Sequence, residues 1–378
     1  MSAPALVLHV MDKFTVSGSG PHGVLQLLIY LLPRLDPGRF AFKVIGLRKN
    51  PPGFELGGRP GFSIETLSLG KFNPVALFKL LGLIRRERPA ILHLHGYASW
   101  SFGRLAGLLT GTPVVLQEHM AHGSPPFYQS IADGVLSFLP YSAIAVSDNV
   151  RTFMQTKRHV SFDRIVVIPN GVPLEDPHPG SDLEIDAVRR ELGLDRRARV
   201  IGTVGRLDPI KGLDLLLRAL PDVLDAEPDV RVVIVGEGPL AGDLRRLAGE
   251  LGVHAQVSFL GQRRDVPRLL SLIDVFVMPS LSEGLSLAAA EAMAAGKVIL
   301  SSDCDGLKDM FEATGSALLF KSGDSRHLSE QLIRILRDGG LRAELSRRAA
   351  EDSRRFDIRH VARAYGQVYD RVLRASML

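Results

Sequence analysis

Two cations that follow a short apolar run have the spacing of a binding site for a polyanion. The run Val200–Val204 is apolar and rich in β-branched residues, a glycine turn follows it, and a helical pattern begins after Lys211. Arg206 can contact two phosphate oxygens through its planar guanidinium, whereas Lys211 contributes a point charge. The first N–H groups of a helix lack intrahelical partners and favour an anion. The segment predicts a diphosphate site, although two solvated surface cations beside a capping glycine would give the same sequence.

A second segment joins two carboxylates to another helix start. Glu283 comes just before an alanine-rich helical pattern over 288–295, and Glu291 lies two turns further on, so that the two share roughly one side. A carboxylate among alanines is costly unless it is bonded, which favours a function such as binding a ribose diol over a buried structural pair. Glu283 is expected to bind a sugar hydroxyl, unless it is only an acid favoured by the helix dipole. The N–H groups expected to face a phosphate are those of Leu285, Ser286 and Leu287.

Short β-branched runs alternate along the chain with helical patterns of about 10–15 residues. Continuous apolar strands that alternate with helices indicate parallel sheets covered on both faces. The runs expected to form strands in the first half are Leu6–Met11, Phe42–Leu47, Ile91–His95, Pro113–His119, Ala143–Ser147 and Ile165–Pro169. Those in the second half are Val200–Gly205, Val230–Gly236, Gln256–Gly261, Val275–Pro279 and Val298–Ser302. The predicted fold class is α/β, with doubly wound, Rossmann-like parallel sheets.

The pattern restarts after a stretch with the composition of a linker. The segment Pro169–Pro179 contains four prolines and one glycine. We therefore expect one domain over residues 1–175, a second over 176–357, and a last helical segment over 358–378. Ligands of open α/β sheets bind beyond the carboxyl ends of the strands, so two such sheets that face a central cleft would share one site.

Composition excludes several classes of protein. The chain has 378 residues, of which 46% are hydrophobic and 23% charged, which is ordinary for a globular protein. Cys304 is the one cysteine, so a disulfide framework is excluded and a reducing compartment is favoured. No apolar run approaches the roughly 18 residues that span a bilayer, and the first residues lack the pattern of a signal peptide. The expectation is a cytoplasmic protein.

The net charge of +5 is unevenly distributed along the chain. Residues 1–175 carry 17 basic and 10 acidic side chains, which gives +7, residues 176–320 have a net charge of −7, and residues 321–378 have one of +5. A basic first half can face an anionic partner. Nucleic acid is not expected, because aromatic residues make up only 6% of the chain and no motif for binding it is present.

Several motifs in the right order resemble the retaining family-4 glycosyltransferases of the GT-B fold, which include glycogen synthases and bacterial mannosyl- and glucosyltransferases. The resemblance covers most of residues 165–340, and more loosely the first half. It is specific because the motifs occur together. The motifs are Gly205-Arg206-Leu207 with Lys211-Gly212, Val235-Gly236-Glu237-Gly238-Pro239-Leu240, Val257–Gly261, Pro279-Ser280 to Glu283-Gly284, and the pair of Glu283 and Glu291. Seven residues lie between Glu283 and Glu291.

The resemblance implies roles for these residues. Arg206 and Lys211 would hold the diphosphate of a UDP-, GDP- or ADP-sugar, Glu291 its ribose, and Glu283 a hydroxyl of the transferred sugar. The sugar would be transferred with retention, because the leaving diphosphate stays on the face that the acceptor attacks, and no metal would be needed. Further positions expected at the donor site are Gly236, Gly238, Gly284, Leu285, Ser286 and Leu287.

A histidine at the end of one strand of the first domain has a counterpart in the family. The family places a histidine there close to the transferred sugar, so the resemblance implies a catalytic role for His119. A histidine that only ends a strand or packs in the core remains the alternative. His93, His95, His119 and His122 could together suggest zinc, but no closed ligand set with supporting partners is evident, and no metal is expected.

A glycine-rich loop precedes the first helical pattern. Residues 18–23 match G-x-G-x-x-G, but the acid that binds the ribose in dinucleotide sites is missing from the expected strand, so this reading is not favoured. The resemblance implies instead that Gly20 and Gly23 lie near the donor phosphate. The family usually has a glycine pair followed by Glu, and here Leu25 takes the place of the acid.

The resemblance also implies the remaining partners. The first domain would bind a glycan or lipid-linked acceptor, and the helix at Ile358–Leu373 would cross back onto that domain. An anionic membrane surface could be contacted by the helical pattern Pro74–Arg88, with an ordinary packed helix as the stronger alternative. The expected protein is a hexosyltransferase of cell-surface polysaccharide or glycolipid synthesis, peripheral on the inner face of the plasma membrane. A nucleotide-sugar 2-epimerase and an inactive nucleotide-sugar-binding homologue remain alternatives.

Overall fold

The computed structural model describes residues 3–15, 22–50, 61–70, 73–121, 123, 127–137, 142–174 and 182–376. The chain divides into two compact units. The first unit contains the residues up to Gly171 together with those from Ile358 onward, and the second contains Val172–Asp357. The division at Gly171 comes a few residues before the boundary at 175 that the sequence suggests.

The first unit is built on a seven-stranded, fully parallel sheet in the order β3-β2-β1-β4-β5-β6-β7. Its central strands are buried on both faces, and every residue of β4 is buried. The strands are β1 Ala5–Met11, β2 Phe40–Arg48, β3 Phe62–Leu69, β4 Ile91–His95, β5 Val114–Glu118, β6 Ser142–Ala145 and β7 Ile165–Val167. The helices that connect them are α1 Gly23–Leu31, α2 Val75–Glu87, α3 Tyr97–Thr110, α4 Phe127–Leu136 and α5 Asp148–Arg158.

The second unit repeats this architecture with six parallel strands in the order β10-β9-β8-β11-β12-β13. Its strands are β8 Arg199–Val204, β9 Val230–Val235, β10 Val257–Gly261, β11 Val275–Met278, β12 Val298–Ser302 and β13 Leu318–Phe320. Its helices are α6 Asp182–Glu191, α7 Leu213–Ala226, α8 Ala241–Glu250, α9 Val266–Leu272, α10 Leu287–Ala294, α11 Asp305–Phe311, α12 Ser325–Arg337 and α13 Gly339–Asp352. The chain order reverses between β8 and β11, which is the switch point where α/β sheets bind ligands.

The last helix, α14 (Ile358–Ala375), returns to the first unit. It packs against α1 and β4 and buries Tyr365 and Tyr369 completely. At the start of α14 the chain passes close to Gly171, where a Cβ would lie 2.8 Å from a methyl carbon of Val361. The chain thus enters and leaves the second unit beside the same helix.

Two strands are absent from the sequence prediction. β3 lies at one edge of its sheet, and its alternating polar residues lack the continuous apolar run of the central strands. β13 has only three residues, so its apolar pattern is too short to be distinguished from a loop. Within the described residues, no helix is both long and apolar enough to cross a membrane.

Candidate active site

A pocket opens at the carboxyl ends of β8, β9 and β11 in the second unit. Its lining includes Gly205, Arg206, Lys211, Val235 and Ser280. The position is the switch point of the sheet, where helix N-termini and strand ends converge. The structure therefore brings Arg206 and Lys211 together at one pocket, as the spacing of the first motif requires.

The glycines after β9 allow its loop to lie directly on the loop after β8. Gly236 has φ +134°, and a Cβ there would lie 1.9 Å from the carbonyl oxygen of Gly205. A Cβ on Gly238 would lie 2.3 Å from the carbonyl oxygen of Leu207. The N–H of Leu207 donates to the carbonyl of Glu237 at 2.9 Å. Both glycines thus permit a close backbone approach that shapes the pocket.

Lys211 forms an ion pair with Glu283 between the loops that follow β8 and β11. Ser280 Oγ donates to the same carboxylate oxygen at 2.9 Å, and Ser302 Oγ donates to the Ser280 carbonyl at 2.5 Å. The Glu283 side chain is almost fully buried. Ser280, named from the sequence only as part of a motif, therefore orients the carboxylate expected to bind the sugar, and Ser302, which was not named, supports Ser280.

The contact between these loops depends on a glycine at the start of α7. Gly212 adopts a left-handed conformation with φ +57°, and a Cβ there would lie 2.2 Å from the carbonyl oxygen of Pro279. Two residues after Pro279, the N–H of Leu281 donates to the carbonyl of Ile210, two residues before Gly212, at 2.7 Å. The backbone therefore places Lys211 within reach of Glu283.

Arg206 forms an ion pair with Asp208, which follows it two residues later. The guanidinium is about one-third exposed, whereas Asp208 is nearly buried. The second carboxylate oxygen, Oδ1 of Asp208, has no hydrogen-bond partner among the described residues. Asp208 therefore holds the guanidinium at the pocket, and nothing in the sequence pattern singled it out.

The third group of predicted positions lies at the start of α10. Ser286 caps this helix, and its Oγ accepts a hydrogen bond from the N–H of Ala289 at 3.3 Å. Leu287 is the first helical residue, and Glu291 is half-buried one turn further along. Gly306 of α11 packs closely against the segment that precedes α10. A Cβ on Gly306 would lie 2.2 Å from the carbonyl oxygens of Glu283 and Gly284.

His119 lies in the first unit, directly after β5. Its Nε2 is 3.1 Å from His95 Nδ1, and His95 Nε2 is 2.9 Å from His9 Nδ1. Burial lowers the pKa of His9 to about 3, and burial together with His22 lowers that of His119 to about 3. His119 is therefore a neutral imidazole at pH 7, hydrogen-bonded to other neutral imidazoles.

A buried ion network holds the end of β5 beside His119. Glu118 accepts a hydrogen bond from the backbone N–H of His119 at 3.1 Å and pairs with Arg158 at 2.8 Å. Arg158 also contacts Asp133, which pairs with Arg104. Burial raises the pKa of Glu118, and Arg158 opposes that rise. The sequence did not single out these charges, since they come from three separate helices and one strand.

Three buried histidines stand close enough to share a metal ion. The ligating nitrogens of His9, His93 and His95 lie within 4.8 Å of one another. The histidines weighed as zinc ligands from the sequence were His93, His95, His119 and His122, and His9 was not among them. The pairing register of β1 and β4 sets His9 beside His93, a neighbour relation that only the strand order reveals. His122 lies outside the described residues.

The glycine-rich loop is only partly described. Gly20 lies among residues 16–21, outside the described part of the chain. Gly23 is the first residue of α1, and His22 caps that helix by accepting from the N–H of Val24 at 3.0 Å. Leu25, in the place of the family's acid, is fully buried.

Comparison with known proteins agrees with this architecture. Residues 184–352 match the model of glycosyl transferases group 1, and residues 23–176 match the model of glycosyltransferase family 4. The phosphatidyl-myo-inositol mannosyltransferase of Mycolicibacterium smegmatis is 31% identical over 81% of this chain and 78% of its own length. The Escherichia coli enzyme named UDP-Gal:alpha-D-GlcNAc-diphosphoundecaprenol alpha-1,3-galactosyltransferase is 30% identical over 70% of each chain.

A solved structure gives the same result for the fold. The crystal structure of Anabaena HepE in complex with UDP-glucose superposes with a TM-score of 0.79 at 20% identity, covering 96% of this chain and 98% of HepE. Two parallel-sheet α/β units of this kind define the GT-B class. The chain belongs to glycosyltransferase family 4. The resemblance drawn from the motifs is thereby confirmed, and the protein is a glycosyltransferase.

Proposed function

We propose that this glycosyltransferase moves a sugar from a nucleoside diphosphate sugar to a glycan or lipid-linked acceptor, with retention of the anomeric configuration. The observation that carries the proposal is the pocket at the switch point, which Arg206 and Lys211 line and where Lys211 pairs with the buried carboxylate of Glu283. Two cations and a helix start suit a diphosphate, and a carboxylate held by neighbouring side chains suits a hydroxyl. HepE, solved with UDP-glucose, supports a donor of this class.

In this proposal different residues bind different parts of the donor. Arg206 and Lys211 bind the diphosphate, Glu291 the ribose, and Glu283 a hydroxyl of the transferred sugar. The backbone at Leu285, Ser286 and Leu287 faces a phosphate, and Gly20, Gly23, Gly236, Gly238 and Gly284 allow the backbone to approach the donor. His119 contacts the transferred sugar.

The chemistry depends on stabilising the departing diphosphate. Charge develops on the oxygen between phosphorus and sugar as that bond breaks, and fixed cations lower the barrier because they are oriented before the reaction begins. Arg206 and Lys211 supply two positive charges, so we propose that no metal is needed. The acceptor hydroxyl attacks on the face from which the diphosphate leaves, which gives retention.

The acceptor and the location are proposed from the relatives and from the surface. The two relatives compared above act, by their names, on a phosphatidylinositol and on a diphosphoundecaprenol-linked sugar. We propose a lipid-linked acceptor of the cell surface and a cytoplasmic enzyme in peripheral contact with the anionic membrane.

The membrane surface proposed from the sequence needs revision. Leu80 and Ile84 of α2 face the interior of the first unit, and Phe78 is exposed. A stripe along α4 is exposed instead, with one residue per turn on one side: Phe127, Ile131 and Val135, each at least 60% exposed. We propose this α4 stripe as the membrane contact. Flotation with phosphatidylglycerol vesicles should fail for Ile131→Asp and persist for Leu80→Val.

The test of the function is a transfer assay with radiolabelled donors and a lipid-linked acceptor. Transfer with an α-linkage from an α-linked donor is the expected result, read by NMR of the product. A β-linked product would contradict retention. Conversion of the donor to its epimer without any acceptor would instead indicate a 2-epimerase, and the absence of binding to any nucleoside diphosphate would indicate an inactive homologue.

A further inference from the structure

A continuous run of hydrogen bonds extends from His119 into the interior of the first unit. We call it the histidine chain: His119, His95, His9, Tyr369 and His93. Beyond the contacts already given, the Tyr369 hydroxyl lies 3.4 Å from His9 Nε2 and 2.8 Å from His93 Nδ1. Its members come from β1, β4, the end of β5 and α14, and all but His119 are almost completely buried.

The chain has only two consistent arrangements of hydrogens. Burial lowers the pKa of His93 and of His95 well below the usual value, so that all four rings are neutral at pH 7. A neutral imidazole carries one N–H and one lone pair, and each ring inside the chain must therefore donate on one side and accept on the other. The hydrogens point either inward, from His119 toward His93, or outward in every link.

The inner end of the chain selects the inward arrangement. His93 Nε2 and Gln117 Oε1 are both buried and lack a hydrogen-bond partner among the described residues. The Gln117 side chain opposes the fall of the His93 pKa, as an acceptor oxygen that faces the ring does. Gln117 Nε2 donates to the Tyr365 hydroxyl at 2.5 Å, so that Oε1 is the amide atom left without a partner. An N–H on His93 Nε2 would then have the neighbouring Gln117 Oε1 as an available acceptor, whereas a lone pair there would leave both buried acceptors unsatisfied.

We propose that the histidine chain is a positioning device that holds His119 in the Nε2–H tautomer and presents its Nδ1 lone pair to a hydroxyl of the transferred sugar. This inference rests on the proposed role of His119 in the function above. His95, His9 and Tyr369 are positioning residues, which act through His119. Because Tyr369 lies on α14, the last helix becomes part of the device that orients a residue of the sugar site.

The same cluster does not suit a metal ion. Each of the three rings already uses nitrogens in the histidine chain, so that a metal ion would compete with these hydrogen bonds for the lone pairs. Two of the three would also have to give up the 2.9 Å bond that joins them. The metal content of the purified protein is therefore measured as part of the experiment.

The experiment uses the full-length, ligand-free protein labelled with ¹⁵N-histidine, with the His119 signals assigned by their loss in His119→Gln. Two-bond ¹H–¹⁵N spectra at pH 7.5 should show a protonated Nε2 and an unprotonated Nδ1. His9→Leu removes the acceptor for His95, and a mixture of His119 tautomers and a fall in kcat of about 10-fold are expected. His9→Asn is the matched variant of similar size, whose amide oxygen can take the place of Nδ1, and it should keep a single tautomer and most of the turnover.

Three results would overturn the inference: a hydrogen on His119 Nδ1 in the unmodified protein, an unchanged tautomer in His9→Leu, or stoichiometric zinc in the purified protein. Should His9→Leu fail to fold, Tyr369→Phe breaks the same chain with a nearly identical shape and should give the same mixture. The spectra need no substrate, so a failure of glycosyl transfer leaves this test intact. A fourth result bears on the positioning role alone: that role would be overturned if the unmodified protein shows the fixed tautomer but His119→Gln transfers sugar at the normal rate.

Discussion

Lys211 and Glu283 form an ion pair between the loops that follow two neighbouring strands of the second sheet. The two residues are 72 positions apart in the chain, and the close approach of Gly212 to Pro279 brings them together. In the proposed function the cation serves the diphosphate and the carboxylate serves the sugar. In this proposal the pair thus connects the residue that binds the leaving diphosphate with the residue that binds the transferred sugar.

Removal of either cation should abolish most of the transfer. Lys211→Ala and Arg206→Ala each remove a charge that stabilises the leaving diphosphate, and a loss of about 10²–10³ in kcat is expected for each. Steady-state transfer assays with saturating acceptor measure it. Arg246→Ala is the control, because Arg246 is exposed on α8 and, among the residues that the structure describes, forms its ion pairs within the same helix. Near-normal turnover of Lys211→Ala would contradict the proposed role.

Ser280 should affect sugar transfer through its hydrogen bond to Glu283. Ser280→Ala removes a 2.9 Å hydrogen bond to the carboxylate, a bond to a charged group worth about 1.5–3 kcal/mol. We expect kcat/KM to fall about 10- to 100-fold while the affinity for the nucleoside diphosphate alone is unchanged. Kinetics together with calorimetric titration of the diphosphate separate the two effects. A loss of affinity for the nucleoside diphosphate as large as the loss of kcat/KM would show that Ser280 shapes the phosphate site instead.

The glycine after β9 should be intolerant of any side chain. Gly236→Ala places a Cβ 1.9 Å from a carbonyl oxygen at a positive φ, and a loss of more than about 3 kcal/mol in the free energy of unfolding is expected. Gly242→Ala on α8 is the matched control, since a Cβ there meets nothing within 4 Å, and it should change stability by less than about 1 kcal/mol. Urea denaturation measures both. Equal stability of the two variants would refute the close approach.

Acid should destabilise the first unit through its neutral histidines. The folded pKa of His9 is about 3, whereas an unfolded histidine titrates near 6.5, so the unfolded state binds more protons between these values. Stability contributed by the neutral ring is therefore complete above about pH 6.5 and is lost as the pH falls toward 3. Between pH 7.5 and 5.5 the loss is about 1.4 kcal/mol for this ring.

The difference between variants isolates this effect from other titrating groups. Unfolding free energies at pH 7.5 and 5.5 are compared for the unmodified protein and His9→Asn. The variant should lose about 1.4 kcal/mol less over this interval. An identical pH dependence of the two proteins would show that the pKa of His9 is the same in the folded and unfolded states.

The sequence predicted the family and most of the central strands because both depend on local patterns. β-branched runs between helical periods identify buried parallel strands, and short motifs carry the cations and carboxylates of the pocket. Asp208 and Ser280 also lie within these segments, but their contacts depend on how the loops fold back. The edge strand β3 and the three-residue β13 lack the apolar run that a prediction needs.

The contacts of His119 were not predictable from one sequence. His9 and His95 lie in β1 and β4, which are neighbours in the sheet although β2 and β3 come between them in the chain. Tyr369 enters from the last helix, 360 residues after His9. Such contacts arise from strand order and helix docking, and no local periodicity encodes them.

The donor site can be tested by calorimetric titration of the protein with UDP, GDP and ADP, and with their sugars. One nucleoside diphosphate and its sugar should bind the unmodified protein at one site, and Lys211→Ala should weaken this binding at least 10-fold while Arg246→Ala leaves it unchanged. No binding of any of these ligands, or equal binding by Lys211→Ala, would contradict the proposed donor site.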